Sequence, residues 1–104
     1  DGSVDVFRQD GSKSEFQSYT DGKRDGQWKF FFPDGENIML ELNYTEGRLN
    51  GKRITYYPNG NKRQEIDIKD GKMHGTFTEW DEAGKKRLER NFKEGRPDGD
   101  PIWY

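Results

Sequence analysis

Apolar residues recur at every second position in short runs along the chain: Val4 and Val6, then Leu40, Leu42 and Tyr44, then Ile66 and Ile68. Such alternation puts one set of side chains on one face of a β-strand. Turn residues separate the runs. Asp10-Gly11, Asp34-Gly35 and Asn59-Gly60 are two-residue hairpin signals, and Ala83-Gly84 is a weaker one. Residues 44–71 are the most regular copy: a turn at Gly47 and Gly51, the aromatic pair Tyr56-Tyr57, a turn at Pro58-Asn59-Gly60-Asn61, and an alternating strand back to Gly71.

The hairpins repeat. Glycines at 22, 47, 71 and 95 are spaced by 25, 24 and 24 residues, and each has a partner four residues on, at Gly26, Gly51, Gly75 and Gly99. A third glycine follows at Gly35, Gly60 and Gly84, and Gly11 fits the same series. This register predicts about four repeats, flanked by a partial unit at 1–10 and a cut-short one at 95–104. The one-residue excess lies between Gly35 and Gly47, where a strand bulge is expected to take it up.

Columns through the repeats give the expected faces. On the return strands, Tyr19, Tyr44, Ile68 and Phe92 share one column. Gln17, Leu42, Ile66 and Arg90 form the next, then Glu15, Leu40, Gln64 and Leu88. On the outgoing strands, Phe31, Tyr56, Trp80 and Tyr104 form an all-aromatic column, expected to stack as a ladder in the core of a thin sheet. Trp28, Arg53, Phe77 and Pro101 form another. Residues 85–95 also fit a helix, with Leu88 and Phe92 four apart, but the repeat register favours a strand.

Composition sharpens this picture. Only 28% of the 104 residues are hydrophobic, while 14% are aromatic, so the apolar material is concentrated in rings. An elongated, shallow core follows, held by strand hydrogen bonds and neighbour stacking rather than by bulk burial. Eighteen basic and 20 acidic residues nearly cancel and alternate in sign, which argues against nucleic acid as a partner and gives a membrane surface no support. The absence of cysteine excludes disulfides and thiolate chemistry. The chain opens Asp-Gly without an initiator methionine, as expected of a trimmed or mature piece of something longer.

Candidate chemistry is sparse. His74, the single histidine, falls inside a glycine turn, and a metal or base role would need partners from elsewhere. Carboxylates such as Asp21 and Asp25, or Glu79 and Asp81, lie close in sequence, but with 20 acids such pairs arise by chance. Asp10-Gly11-Ser12 lacks the spacing of a calcium loop. No catalytic residue, metal site or cofactor is expected.

The glycine pattern with its aromatics resembles the MORN repeat family, in the variant typical of bacterial proteins. The matching residues are Gly22, Gly26, Trp28, Phe31 and Gly35, then Gly47, Gly51, Tyr56, Asn59 and Gly60, then Gly71, Gly75, Phe77, Trp80 and Gly84, then Gly95, Gly99 and Tyr104. Arg53 and Pro101 depart from it at the Trp28 column. The resemblance implies an all-β, elongated antiparallel meander of hairpins serving as a scaffold or recognition module. Roles in antitoxin or immunity proteins, or in envelope proteins, are among those it suggests.

Aromatics exceed what a one-sided core needs, because consecutive residues in Phe30-Phe31-Phe32 and Tyr56-Tyr57 face opposite ways. The expected function is therefore non-catalytic binding of a protein partner, through Trp28, Phe30, Phe32, Tyr57 and Trp80. A structural spacer of an envelope protein and a carbohydrate- or lipid-binding module are the alternatives. Self-association through the sheet ends is a further expectation.

Overall fold

The computed structural model describes residues 2–104. Twelve antiparallel strands form one sheet: β1 (Gly2–Phe7), β2 (Lys13–Thr20), β3 (Lys23–Arg24), β4 (Gly26–Phe31), β5 (Ile38–Thr45), β6 (Arg48–Leu49), β7 (Gly51–Tyr56), β8 (Lys62–Lys69), β9 (Lys72–Trp80), β10 (Lys86–Lys93), β11 (Arg96–Pro97) and β12 (Ile102–Trp103). Neighbouring strands follow chain order, as a meander requires, and residues 86–93 form a strand rather than a helix. The Cα extents are 43 × 33 × 15 Å. The accessible surface, 6906 Å², exceeds the roughly 6,100 Å² of a compact monomer of this mass. The excess is that of a single open layer.

Two kinds of turn alternate along the sheet. On one edge, strands join through two-residue turns with both central residues at positive φ: Asp21-Gly22, Glu46-Gly47, Asp70-Gly71 and Glu94-Gly95. This is the geometry that matches strand twist, and glycine adopts it without a Cβ clash. These turns also stack. The N–H of Gly47 donates to the carbonyl of Arg24 at 2.8 Å, Gly71 to Leu49 at 3.0 Å, and Gly95 to Met73 at 2.9 Å.

The opposite edge departs from the sequence expectation. Asp10, Asp34 and Asn59 are not at positive φ, so these are not two-residue hairpins. Instead the glycine closes a four-residue turn, with Gly60 N–H donating to the Tyr57 carbonyl at 2.9 Å and the Gly11, Gly35 and Gly84 turns alike. The acidic or amide side chain holds the loop from within: Asp10 Oδ1 accepts from Ser12 N–H, Asp34 Oδ1 from Glu36 and Asn37, and Asn59 Oδ1 from Asn61. Where Ala83 lacks this group, Asp81 supplies it by accepting from Ala83 and Lys85 N–H. Asx side chains imitate a backbone turn in this way.

The extra residue also sits elsewhere than expected. Every hairpin carries a bulge after its loop, with the pairing register slipping between Val6 and Phe7, Phe30 and Phe31, Thr55 and Tyr56, and Lys86 and Leu88. The bulge is thus part of the repeat. The excess residue lengthens one loop: Phe32 N–H donates to Asn37, whereas Tyr57 donates to Asn61 and Asp81 to Lys85. That loop packs tightly. A Cβ on Gly35 would lie 2.9 Å from the Lys13 nitrogen of the neighbouring hairpin.

The core is small and central. Trp28, Ile54, Ile66 and Ile68 are buried, whereas Val4, Phe7, Ile102, Trp103 and Tyr104 near the ends are exposed. Burial fades outward because each strand is covered only by its neighbours.

Candidate binding surface

Pairing register assigns the side chains to two faces. On the first face Trp28 lies opposite Leu42, Arg53 opposite Ile66, and Arg90 opposite Phe77. Leu40, Tyr44, Ile68, Leu88 and Phe92 share that face, being in step with these pairs. On the second face Lys52 opposes Asp67, Ile54 opposes Glu65, and, beyond the bulge, Tyr56 opposes Lys62 and Trp80 opposes Lys86.

The aromatic column Phe31, Tyr56, Trp80 and Tyr104 lies on this second face, and its rings do not stack on one another. Among the described residues ring pairs occur at Tyr19–Trp28 (5.4 Å), Trp28–Tyr44 (5.5 Å) and Phe77–Phe92 (6.4 Å), all on the first face. The expected ladder fails for a geometric reason. Outgoing strands are two strands apart, roughly 10 Å, and Ile38, Lys62 or Lys86 of the return strand fills the gap.

The five expected contact residues are divided by the fold. Trp28 and Phe30 lie on the first face, Trp80 on the second, and Phe32 and Tyr57 in the loops, so one surface through all five does not form. Trp28 is only 5% exposed; its indole N–H donates to the Ser18 carbonyl at 2.9 Å, and the Arg24 guanidinium lies 4.8 Å from its ring centroid. Tyr57 acts as a strut: its hydroxyl donates to the Trp80 carbonyl at 2.8 Å, joining one hairpin to the next. Arg8 does the equivalent work two repeats earlier, donating to the carbonyls of Phe31 and Phe32. Phe30, Phe32 and Trp80 are half-buried.

The faces differ in electrostatics. Five ion pairs among the described residues lie on the second: Lys13–Asp5, Lys52–Glu65, Lys52–Asp67, Lys62–Glu65 and Lys86–Glu89. Tyr56 donates to Glu41 there, and burial, with the Glu41 charge and hydrogen bond behind it, pushes its hydroxyl up to about 12. Tyr104 donates to Glu89, and that bond is the main reason the Glu89 carboxyl is lowered.

The first face carries Arg53 and Arg90, whose guanidiniums make no hydrogen bond or ion pair to any described residue, and the Arg90 Nε is buried without an acceptor. The carboxylates on that face, Glu15 and Glu79, accept from Gln17 and Gln64. Sequence reasoning treated Arg53 as a departure from an aromatic column. Column parity was the signal that could have singled it out, since Arg53 and Arg90 stand in one row with Trp28, Leu42, Ile66 and Phe77.

Open clefts run along the edge of two-residue turns. One of them, about 440 Å³, is lined by Lys69, Lys72, Met73, His74 and Lys93 together with Asp70 and Glu94. Among the described residues no three His, Cys, Asp or Glu side chains gather as a metal site. Glu79 faces the sheet surface while Asp81 is spent on its loop, so that pair does not act together. Asp25 accepts from Thr20 and from Glu46 N–H.

The family model of the MORN repeat variant matches the chain twice, over residues 49–70 and 73–94. Residues 49–94 are thus similar to two successive units of this repeat variant, and both lie in the central and C-terminal hairpins described above. Repeats of this family commonly serve as protein- or membrane-binding modules and are generally non-catalytic. No curated protein and no solved structure matches the chain.

Proposed function

We propose that this chain is a non-enzymatic repeat module that binds a protein partner. The observation that carries the reading is an open single-layer sheet whose half-buried aromatics are distributed over both faces and one loop edge. Surfaces of this kind gain affinity from aromatic anchors seated in a partner's pockets. A toxin as the partner, in an immunity-type role, is the finer form of the reading, and a toxin gene beside this one would favour it.

The test is partner capture from the source organism, repeated with Phe30→Ser and Trp80→Ser. These sample the two faces separately. The expected outcome is that one of them weakens affinity for the captured partner at least tenfold while the far-ultraviolet circular dichroism is unchanged. If both stay folded and bind as the parent does, the reading fails.

A spacer role is the second reading. What favours it is the regular hydrogen bonding of Gly47, Gly71 and Gly95 to the preceding turns, which makes the sheet a row of equivalent units. Exchanging one central repeat for another would then preserve function, whereas a binding module would lose its partner.

A further inference from the structure

We propose that the first face docks an acidic, apolar-anchored peptide segment of the partner, held by Arg53 and Arg90 across the Ile66–Phe77 floor. The proposal rests on the protein-binding reading above and places it on one face. Arg53 lies opposite Ile66 in the β7–β8 pair, and Arg90 opposite Phe77 in the β9–β10 pair. The two guanidiniums therefore bracket an apolar floor. Ile66, at 1% exposure, is its most buried residue, and Ile68 and Phe92 continue it.

Charge complementarity selects the occupant. On the second face Lys13, Lys52, Lys62 and Lys86 have carboxylate partners at 2.7–3.7 Å and Lys29 lies over the Phe16 ring, so most of that face's lysine charge is neutralised within the face. On the first face Arg53 and Arg90 meet none, and Glu15 and Glu79 are engaged by glutamine amides. A guanidinium half-buried among apolar side chains is partly stripped of water, and a carboxylate arriving there makes a stronger, charge-assisted bond than it would on an exposed lysine. Arg90 is further committed, since its Nε is buried with no acceptor. Leaving a buried donor unmade destabilises a fold. An apolar side chain at this position would avoid that, and the aliphatic row around it shows that the sheet accepts one.

The spacing gives the segment its pattern. Arg53 on β7 and Arg90 on β10 are three strand spacings apart, roughly 14 Å. An extended peptide crossing the strands covers this in about four residues, so carboxylates four positions apart with apolar residues between them meet both guanidiniums. The apolar residues then rest on Ile66 and Phe77.

The experiment uses a fluorescent peptide with Glu at every fourth position, Phe or Leu midway between successive Glu residues and Ser at the remaining positions, against a counterpart with Lys in place of each Glu. Saturable binding of the Glu peptide is expected, weakening with salt. The double variant Arg53→Gln/Arg90→Gln should weaken it at least tenfold, whereas Lys62→Gln/Lys86→Gln on the second face should leave it within twofold. Circular dichroism confirms that each variant is folded, and Arg53→Lys/Arg90→Lys serves as a second pair that retains charge and should restore part of the affinity. Equal binding of the Lys peptide, no binding of the Glu peptide, or loss confined to the second-face variant overturns the proposal. Should the Glu peptide fail while Trp80→Ser still abolishes partner capture, the protein-binding reading survives and only the docking face is wrong. If neither Phe30→Ser nor Trp80→Ser changes capture, the wider reading falls as well.

Discussion

The two faces of this sheet share strands, turns and repeat register, yet they are held together differently. The first has packed rings, the most buried residue of the chain and guanidiniums without carboxylates. The second has five ion pairs among the described residues, with rings kept apart by intervening lysine and isoleucine. Apolar contact contributes most to stability because water removal scales with buried area. Exposed ion pairs contribute little, since screening and side-chain ordering offset the attraction. The first face thus holds most of the core, with Trp28, Ile66 and Ile68 buried on it and Ile54 on the second.

The largest test of that division is Ile66→Ala. With Ile66 at 1% exposure, the substitution should cost about 2–5 kcal/mol, measured as a lower urea midpoint with unchanged slope. A loss under 1 kcal/mol would mean that the first face is not the structural one. Arg90→Met should move stability the other way, by about 1–3 kcal/mol, because it removes a buried donor with no acceptor. A destabilised Arg90→Met variant would show that the guanidinium has a structural partner.

Smaller effects belong to the loop edge and the second face. Tyr57→Phe removes the hydroxyl that bonds the Trp80 carbonyl and should cost about 1 kcal/mol in the same denaturation experiment. Lys52→Met breaks two exposed ion pairs and should change stability by about 0–1 kcal/mol, with even that difference vanishing in molar salt.

Tyr56 provides a pH test of the same face. Its folded pKa is raised from 10.0 to about 12, so the fold favours the protonated hydroxyl. Its contribution is complete below pH 10 and is lost as the pH rises toward 12. Tyrosinate absorbance should show a late step near pH 12, and Tyr56→Phe should remove it. At the acid end Asp34, whose carboxyl is held below its usual 3.8 by the N–H groups of Asn37 and Glu36, should release its loop only as the pH falls beneath that value.

The glycine spacing alone identified the repeat, the meander and the strand at 86–93, because backbone conformations are local demands that a sequence states directly. At Asp21-Gly22, Glu46-Gly47, Asp70-Gly71 and Glu94-Gly95 the acidic-Gly pair forms a turn with two positive φ values, whereas Asp10-Gly11 and Asp34-Gly35 leave the Asp outside that region. Alternation likewise placed Leu42, Ile66 and Ile68 together. Register was less legible. A bulge in every hairpin shifts the residues beyond it, so Phe31, Tyr56 and Trp80 were assigned to a core ladder that the strand spacing cannot make. The strut role of Tyr57 depends on a carbonyl 23 residues away.

The sequence by itself determined the elements, their order and the alternation of side chains, since each depends on a residue and its immediate neighbours. Which face would be covered, which loop would absorb the extra residue near Gly35 and which charges would find partners were decided only by the tertiary structure. Arg53 and Lys52 are adjacent in the chain and carry the same charge. Pairing across strands gives Lys52 two carboxylates and Arg53 an isoleucine, because consecutive side chains on a strand enter different environments.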